Sequence, residues 1–283
     1  MTDRYAVLGN PIAHSKSPEI HTAFALEVGH DIAYTRILVP LDGFVATIDA
    51  YRKQGACGVN VTVPFKIEAY QYGMEHSQRA EVAGAANTLR FDPGQSNACI
   101  FADNTDGVGL VSDIRDNLGY AIVGKRVLLL GAGGAARSVM GALLDELPAS
   151  ISLTNRTIVR AHELAERFIR IQSNAQIEVV DIAHLTKYQY DIIINATSAS
   201  LHESLPVIPA TAFAEKSLAY DMMYGKGATP FLRFAANAGA ATTDGLGMLV
   251  EQAAEAFLLW RGVRPQTAPI IAGIRQSANN NSE

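Results

Sequence analysis

The fold is decided by one stretch of the sequence, Val127-Leu128-Leu129-Leu130-Gly131-Ala132-Gly133-Gly134-Ala135. Its apolar run predicts a buried strand over 126–130, and its glycines predict a turn into a helix over 136–147 that Pro148 ends. In such a unit Gly131 permits the tight turn, Gly133 lets the backbone approach a pyrophosphate, and the helix N-terminus favours the anion. The stretch therefore favours a dinucleotide-binding Rossmann unit over a plain strand–helix turn.

Further strands and helices extend this pattern in both directions along the chain. On the C-terminal side we predict strands at 151–154, 178–180, 191–195 and 218–221 and a helix at 246–261. On the N-terminal side we predict strands at 5–9, 34–39 and 59–63 and helices opened by Ser17-Pro18 and by Asp42. Helical segments at 66–83, strand-like segments at 88–101 and a helix at 107–118 follow. The alternation predicts an α/β protein with two domains and a cleft between them, and it implies a parallel sheet in the first domain as well.

Composition narrows the function classes. The 283 residues are 48% hydrophobic and 18% charged with a net charge of −5, which is typical of a globular protein and argues against a nucleic-acid partner. The two cysteines, Cys57 and Cys99, have no metal-ligand spacing, so we predict no metal site and a reducing compartment. No segment has the shape of a signal peptide or the ~18 apolar residues of a membrane span, which predicts a cytoplasmic protein without a membrane partner.

The choice of cofactor depends on the end of the strand that comes after the glycine turn. An NAD site usually places an acidic residue there to bind the ribose hydroxyls, but 151–161 contains none. Arg156 and Arg160 stand there instead, and a guanidinium suits a 2′-phosphate. We therefore predict NADP, although Arg160 alone is almost as well explained as a solvated helix residue.

Polar clusters occur where the first domain is expected to face the cleft. They are His14-Ser15-Lys16-Ser17-Pro18, Asn60-Val61-Thr62-Val63-Pro64-Phe65-Lys66, Ala86-Asn87-Thr88 and Asn104-Thr105-Asp106-Gly107. Such hydroxyl, amide, lysine and aspartate groups suit a polyhydroxy acid at the strand ends of an open sheet. Each also has a structural explanation: Ser17 and Asp106 as helix caps, Thr62 as a strand residue, Lys66 as a solvated side chain. The residues alone indicate an NADP-dependent oxidoreductase with a polar substrate.

With these segments the chain resembles the shikimate dehydrogenase family along nearly its whole length. The segments that carry the resemblance are 9–18, 60–66, 84–88, 104–107, 131–135, 155–157, 194–198, 220–222 and 244–249. The resemblance implies the reaction of that family, in which NADPH reduces 3-dehydroshikimate to shikimate in aromatic amino-acid biosynthesis. It also implies C-terminal helices at 245–283 that return to an N-terminal substrate domain at 1–106, with a Rossmann-type NADP-binding domain at 107–244.

The resemblance also implies a role for individual residues. Lys66 is the expected catalytic group and Asp106 its partner. Shikimate is expected to contact Ser15, Ser17, Thr62, Lys66, Asn87, Asp106, Tyr224 and Gln252. NADP is expected to contact Gly131, Ala132, Gly133, Gly134, Ala135, Asn155, Arg156, Thr157, Arg160, Met222 and Gly245. Two departures weaken the match: Gln78 replaces a common acidic residue near the cofactor, and the family's Thr-Ser-Ser-Gly run reads Thr197-Ser198-Ala199-Ser200.

Other functions remain open at this point. A quinate/shikimate dehydrogenase that uses both cofactors shares most motifs but is expected to carry an acid near Arg156. A methylene-tetrahydrofolate-type dehydrogenase also uses a lysine on two domains, but it fits these loops less well. A non-catalytic NADP-binding regulator is disfavoured by the intact Lys66 and Asp106. The expected partners are small molecules, with the chain a monomer or a homodimer.

Overall fold

A computed structural model describes residues 2–92, 99–172, 175–197, 204–225 and 227–280. The chain forms two compact units: the first runs to Gly109 and resumes at Val250, and the second spans Leu110–Leu249. Each unit is built on a six-stranded sheet. This architecture confirms the predicted two-domain α/β fold class.

The first unit has a mixed sheet. Its elements are β1 (Asp3–Gly9), α1 (Ser17–Val28), β2 (Ile32–Leu38), α2 (Phe44–Lys53), β3 (Ala56–Val61), α3 (Lys66–Tyr72), β4 (Glu75–His76), α4 (Gln78–Ala83), β5 (Thr88–Phe91), β6 (Ile100–Asp103) and α5 (Asp106–Ser112). The strand order is β2-β1-β3-β5-β6-β4, and β3–β5 and β5–β6 pair antiparallel. The parallel sheet expected from the strands at 5–9, 34–39 and 59–63 is confirmed, because β1 pairs in parallel with both β2 and β3. The antiparallel pairing of β5 with β6 adds to it, since the connection between Phe91 and Ile100 is too short for a parallel crossover.

The second unit has a parallel sheet throughout. Its elements are β7 (Arg126–Leu130), α6 (Gly134–Asp145), β8 (Ser150–Thr154), α7 (Ile158–Ile171), β9 (Ile177–Val179), β10 (Tyr190–Asn195), β11 (Phe213–Asp221), α8 (Pro230–Asn237) and β12 (Ala241–Asp244). The order β12-β11-β10-β7-β8-β9 confirms the predicted doubly wound sheet. Helix α5 continues as a π-helical turn (Asp113–Asn117), and the chain ends in α9 (Leu246–Arg261) and α10 (Ala268–Asn280).

Two predicted helix caps are wrong. Helix α1 begins at Ser17 itself, and Lys16 at the cap position forms no side-chain capping bond. The Ser17 hydroxyl accepts a hydrogen bond from the Ser15 hydroxyl, and the Ser17 amide donates to the same Ser15 oxygen at 3.3 Å. Helix α2 begins at Phe44 with Gly43, not Asp42, at the cap position and without a side-chain bond. At Ser17 the difference is one of position, because Ser17 is the first helical residue with a buried side chain and Lys16 stands at the cap position.

Each unit has its own apolar core. In the first unit, residues such as Leu8, Val59 and Leu89 pack the sheet against α2 and α3, and in the second Leu128 and Ile193 pack with Phe231 of α8. Across the described ranges, no helix combines the length and the apolar composition that a membrane crossing needs. Within the same ranges, no group of three or more histidine, cysteine, aspartate or glutamate side chains is arranged to hold a metal ion.

Candidate active site

In the first unit the ends of β1 and β3 lie side by side. The Thr62 amide donates to the Leu8 carbonyl at 2.9 Å, and the Asn10 amide donates to the Val63 carbonyl at 3.0 Å. A Cβ atom on Gly9 would lie only 2.5 Å from Cγ2 of Thr62, so this approach requires glycine. The loop after β1 and the loop after β3 therefore occupy the same edge of the sheet.

The loop after β1 presents two of the predicted substrate residues, Ser15 and Ser17. Ser15 Oγ donates to Ser17 Oγ at 3.1 Å, with Ser15 half-buried and Ser17 buried. Arg36 of β2 donates from Nε to the Ser15 carbonyl at 2.8 Å and pairs with Glu19 of α1 at 2.7 Å. The conformation of the loop is thus anchored from the neighbouring strand and from the helix that comes after it.

Lys66 and Asp106 form a direct ion pair through Nζ and Oδ2. The side chains are 17% and 8% exposed, so water screens the pair only weakly. Lys66 is the first residue of α3 and Asp106 the first residue of α5. The structural explanations for these residues are therefore wrong: Lys66 is not a solvated side chain, and the Asp106 carboxylate binds a lysine rather than capping its helix.

Asn87 connects this ion pair to its surroundings. Its Nδ2 donates to Asp106 Oδ1 at 2.7 Å, to Thr105 Oγ1 at 3.0 Å and to Gln252 Oε1 at 3.3 Å. Its Oδ1 accepts from the Thr105 amide at 2.8 Å. The structure thus brings together Lys66, Asn87, Asp106 and Gln252, four predicted residues from four separate segments of the chain, together with Thr105 beside Asp106.

Sequence reasoning quoted Asn60 and Thr105 in the motifs but assigned no role to either. Asn60 is buried: its Nδ2 donates to Thr88 Oγ1 at 3.0 Å, and its Oδ1 accepts from the Tyr34 hydroxyl at 2.7 Å. The signal for Asn60 was available, since it stands two residues before Thr62 and alternate residues of a strand share a face. Thr105 gave no such signal, because only the folded turn places it against Asn87 and Gln252.

In the second unit the sheet register places the predicted cofactor residues at one edge. Leu130 of β7 pairs with Thr154 of β8 and with Asn195 of β10, Asn195 pairs with Asp221 of β11, and Asp221 pairs with Asp244 of β12. The glycine turn, the segment 155–160, Met222 and Gly245 each come directly after one of these strand ends. Because β8 and β10 flank β7 on opposite sides, this edge contains the topological switch point at which doubly wound sheets bind ligands.

The glycine turn has the geometry of an anion-binding turn. Gly131 has φ +107°, and a Cβ there would lie 3.1 Å from Thr197 and 3.2 Å from Ala196. Gly133 occupies the cap position of α6 and Gly134 its first turn, and a Cβ on either would meet no atom within 4 Å. The first amides of α6 therefore border open space, where an anion can reach them.

The segment after β8 presents the two predicted phosphate-binding arginines. Asn155 Nδ2 donates to the Thr157 carbonyl at 2.9 Å, and Thr157 precedes the first residue of α7. Arg156 and Arg160 are exposed, and neither forms an ion pair with any residue in the described ranges. Both cations are thus available to an external anion.

The remaining predicted residues lie on the turns after β11 and β12. A Cβ on Gly245 would lie 2.7 Å from the Met222 carbonyl carbon, so glycine is required for these turns to meet. Tyr224 is half-buried two residues after Met222. Thr197 Oγ1 donates to Asn195 Oδ1 at 2.7 Å, while the expected departure at Ser198-Ala199-Ser200 lies outside the described residues.

Family comparisons agree with both halves of this arrangement. Models of the shikimate dehydrogenase substrate binding domain, of shikimate / quinate 5-dehydrogenase and of the shikimate 5'-dehydrogenase C-terminal domain match residues 7–89, 114–214 and 245–272. The chain belongs to the shikimate dehydrogenase family. The resemblance found in the sequence is therefore confirmed.

Individual relatives match over almost the entire chain. The chain is 54% identical over 274 residues to a shikimate dehydrogenase (NADP(+)) of Janthinobacterium sp. (strain Marseille), covering 97% of each protein. It is similar to the crystal structure of an Ael1 enzyme from Pseudomonas putida, with TM-score 0.89, 44% identity and 96% and 98% of the two chains covered. It is also similar to shikimate 5-dehydrogenase from Thermus thermophilus in complex with NADP(H) and shikimate, with TM-score 0.84, 32% identity and 97% and 99% covered.

Proposed function

We propose that this chain is an NADP-dependent shikimate dehydrogenase. It reduces 3-dehydroshikimate to shikimate with NADPH, reversibly, in the chorismate pathway that leads to the aromatic amino acids. The observation that carries the proposal is the buried Lys66–Asp106 ion pair beside Asn87, at the edge of the first sheet where β1 and β3 end. Relatives at more than half identity carry the name of this enzyme.

The first unit supplies the substrate site in this proposal. Shikimate has several hydroxyls and a carboxylate, and such a ligand needs donors and acceptors that are already held in place. The hydroxyls, amides and charges proposed to bind it are those of Ser15, Ser17, Thr62, Lys66, Asn87, Asp106 and Gln252, together with Tyr224 from the second unit. The bond from Ser15 to Ser17 and the bonds around Asn87 support this assignment, because they hold these groups in place.

The second unit supplies the cofactor site. The open amides of α6 fit a pyrophosphate, and the exposed Arg156 and Arg160 fit a 2′-phosphate. We assign the cofactor to Gly131, Ala132, Gly133, Gly134, Ala135, Asn155, Arg156, Thr157, Arg160, Met222 and Gly245. When bound, NADPH supplies the hydride that this chemistry needs.

The proton is the contribution of the chain itself. In the reductive direction Lys66 Nζ donates a proton to the carbonyl oxygen of the substrate, which becomes the new hydroxyl, and in the oxidative direction it takes that proton back. Asp106 holds the ammonium group by its Oδ2, while Asn87 holds Oδ1 and so fixes the plane of the carboxylate. A positioned acid of this kind typically contributes about 10²–10⁴-fold to the rate.

One assay tests the proposal. NADP reduction is measured with shikimate, with quinate and with no substrate, and each series is repeated with NAD. We expect turnover with shikimate and NADP, and we expect Lys66→Ala to lower its kcat by roughly 10² or more. Preferred turnover of quinate would instead support the quinate activity that the name of one matching family model includes. NADP binding without turnover of either substrate would contradict the proposal and would instead support a non-catalytic NADP-binding regulator.

We also propose which parts of the chain form the substrate domain and which form the NADP domain. Residues 1–106 with the C-terminal helices at 245–283 form the substrate domain, and 107–244 form the NADP domain; the two compact units support this division. We place the enzyme in the cytoplasm as a monomer or homodimer. Light scattering on the purified protein distinguishes the two states.

A further inference from the structure

A cluster of charged side chains surrounds the buried Asp103, three residues before Asp106 of the proposed catalytic pair. Asp103, the last residue of β6, has a side chain that is only 3% exposed, and Arg79 of α4 binds both of its oxygens, from Nε at 2.6 Å and from Nη2 at 2.5 Å. Such a bidentate pair fixes both position and orientation of the carboxylate. The third guanidinium nitrogen of Arg79 donates to Glu255 of α9 at 2.9 Å.

Asp103 is connected to the turn that carries Asp106. Its carboxylate accepts from the Asn104 amide at 2.7 Å, and its carbonyl accepts from the Asn87 amide at 3.0 Å. Asn104 Oδ1 in turn accepts from the Asp106 amide at 3.2 Å. The side chain of Arg79 therefore holds the residue to which both Asp106 and Asn87 are connected.

We propose that Arg79 is a positioning residue that keeps Asp106 against Lys66 by holding Asp103. The inference rests on the proposed catalytic role of the Lys66–Asp106 pair, and Arg79 itself contacts neither residue of that pair in the described hydrogen bonds and ion pairs. It adds to the reaction a residue on α4, a helix that otherwise has no part in the chemistry.

The charge balance around Asp103 explains why Arg79 is needed. Burial raises the pKa of Asp103, but the hydrogen bonds and charge of Arg79 lower it more, so the pKa lies below its usual range. Without Arg79 the partners that the described residues leave to the buried carboxylate are Ser77 and the Asn104 amide. A buried charge without a counter-ion is strongly unfavourable, so the turn is expected to rearrange toward water.

The first test compares two arginines of the same cluster. Arg79→Met is expected to lower kcat for shikimate oxidation by roughly 10- to 100-fold, the scale on which small misplacements act, with the Kd for NADP unchanged. Arg79→Lys should restore part of the rate, since it keeps the charge but not the bidentate contact. The matched control is Arg264→Met: Arg264 pairs with Glu255 at 2.6 Å and Glu251 at 2.8 Å, and its described bonds do not include Asp103. This control is expected to lower the melting temperature and leave kcat within about twofold.

A double-mutant cycle separates positioning from general damage. In an Asp106→Asn background, Arg79→Met is expected to change kcat less than about threefold, because residues that act through one another are not additive. Two results would overturn the inference and leave the proposed function standing. In the first, the effects of Arg79→Met and Asp106→Asn on kcat multiply in the double variant; in the second, Arg264→Met is as slow as Arg79→Met. Full activity of Asp106→Asn would refute the proposed pair itself, and the inference with it. Should Arg79→Met fail to fold, Arg79→Lys measured against Arg264→Lys gives the same comparison.

Discussion

Cofactor choice is predicted to depend on Arg156. The substitution Arg156→Ala should weaken the use of NADP and leave the use of NAD nearly unchanged, because NAD has no 2′-phosphate for the guanidinium to bind. Arg156 lies just after the end of β8 and is exposed. Among the described residues it has no carboxylate partner, so binding a phosphate does not require an existing ion pair to break.

The expected loss of selectivity for NADP over NAD depends on the hydrogen bonds that the Arg156 guanidinium forms with the 2′-phosphate. A hydrogen bond to a charged group contributes about 1.5–3 kcal/mol, which corresponds to a change in selectivity of about 10- to 150-fold. Arg160 lies in the first turn of α7, four residues further along, and is also exposed. It can share the phosphate, so the single variant should fall near the lower end of the range and the Arg156→Ala/Arg160→Ala double variant near the upper end.

The assay is kcat/KM for NADP and for NAD at saturating shikimate. Arg170→Ala is the matched control. It also removes one positive charge, but from the far end of α7, where Arg170 pairs with Glu166 at 2.9 Å. We expect that control to leave selectivity unchanged. An equal fall for both cofactors in Arg156→Ala, or a wild-type protein that prefers NAD, would refute the reasoning.

Three further predictions concern the first unit. Lys66→Ala should lower kcat by roughly 10² or more and leave the affinity for NADPH nearly unchanged. Steady-state kinetics measure kcat and fluorescence titration measures the affinity; a near-normal kcat excludes Lys66 as the proton donor. Ser15→Ala and Thr62→Val should each raise KM for shikimate, at about 0.5–1.5 kcal/mol per lost hydrogen bond; normal calorimetric binding by both variants places the substrate elsewhere. Burial lowers the pKa of His21 from 6.5 to about 3, so the unfolded chain binds this proton first as the pH falls. Relative to His21→Phe, the wild type should therefore lose up to about 1.4 kcal/mol of unfolding free energy per pH unit below 6.5. Denaturant unfolding at a series of pH values measures this, and unfolding free energies of the two proteins that fall in parallel with pH contradict it.

The features that were predicted correctly are encoded locally. The strand, the glycine turn and the helix of 126–145 are neighbours in sequence, and Gly131 adopts the positive φ that its place in the turn requires. The doubly wound sheet results from the same alternation of strands and helices. In such segments each residue's role depends on its immediate neighbours, so the sequence carries the information directly.

Two features of the first unit were missed. Residue type alone gave no pairing direction for the strand-like segments at 88–101, although the short connection between Phe91 and Ile100 favours the antiparallel pairing of β5 and β6. Ser17 has the residue type of a helix cap, but its hydroxyl is buried and bonded to Ser15. At Ser17 the local preference for a cap position was overruled by packing, which a single sequence does not display.

The same distinction explains why the proposed catalytic residues were found and their support was not. Lys66 and Asp106 are 40 positions apart, yet both come soon after strand ends, and a polar residue after a buried strand is a visible signal in an α/β sequence. Arg79 lies on a short helix among polar residues, where a charge is typical of a solvated face. Its bidentate bond to a buried aspartate exists only in the folded chain. Candidate substrate residues are therefore identified by inspecting the polar positions just beyond each strand, whereas the residues that hold those candidates must be identified by tracing hydrogen bonds outward from them.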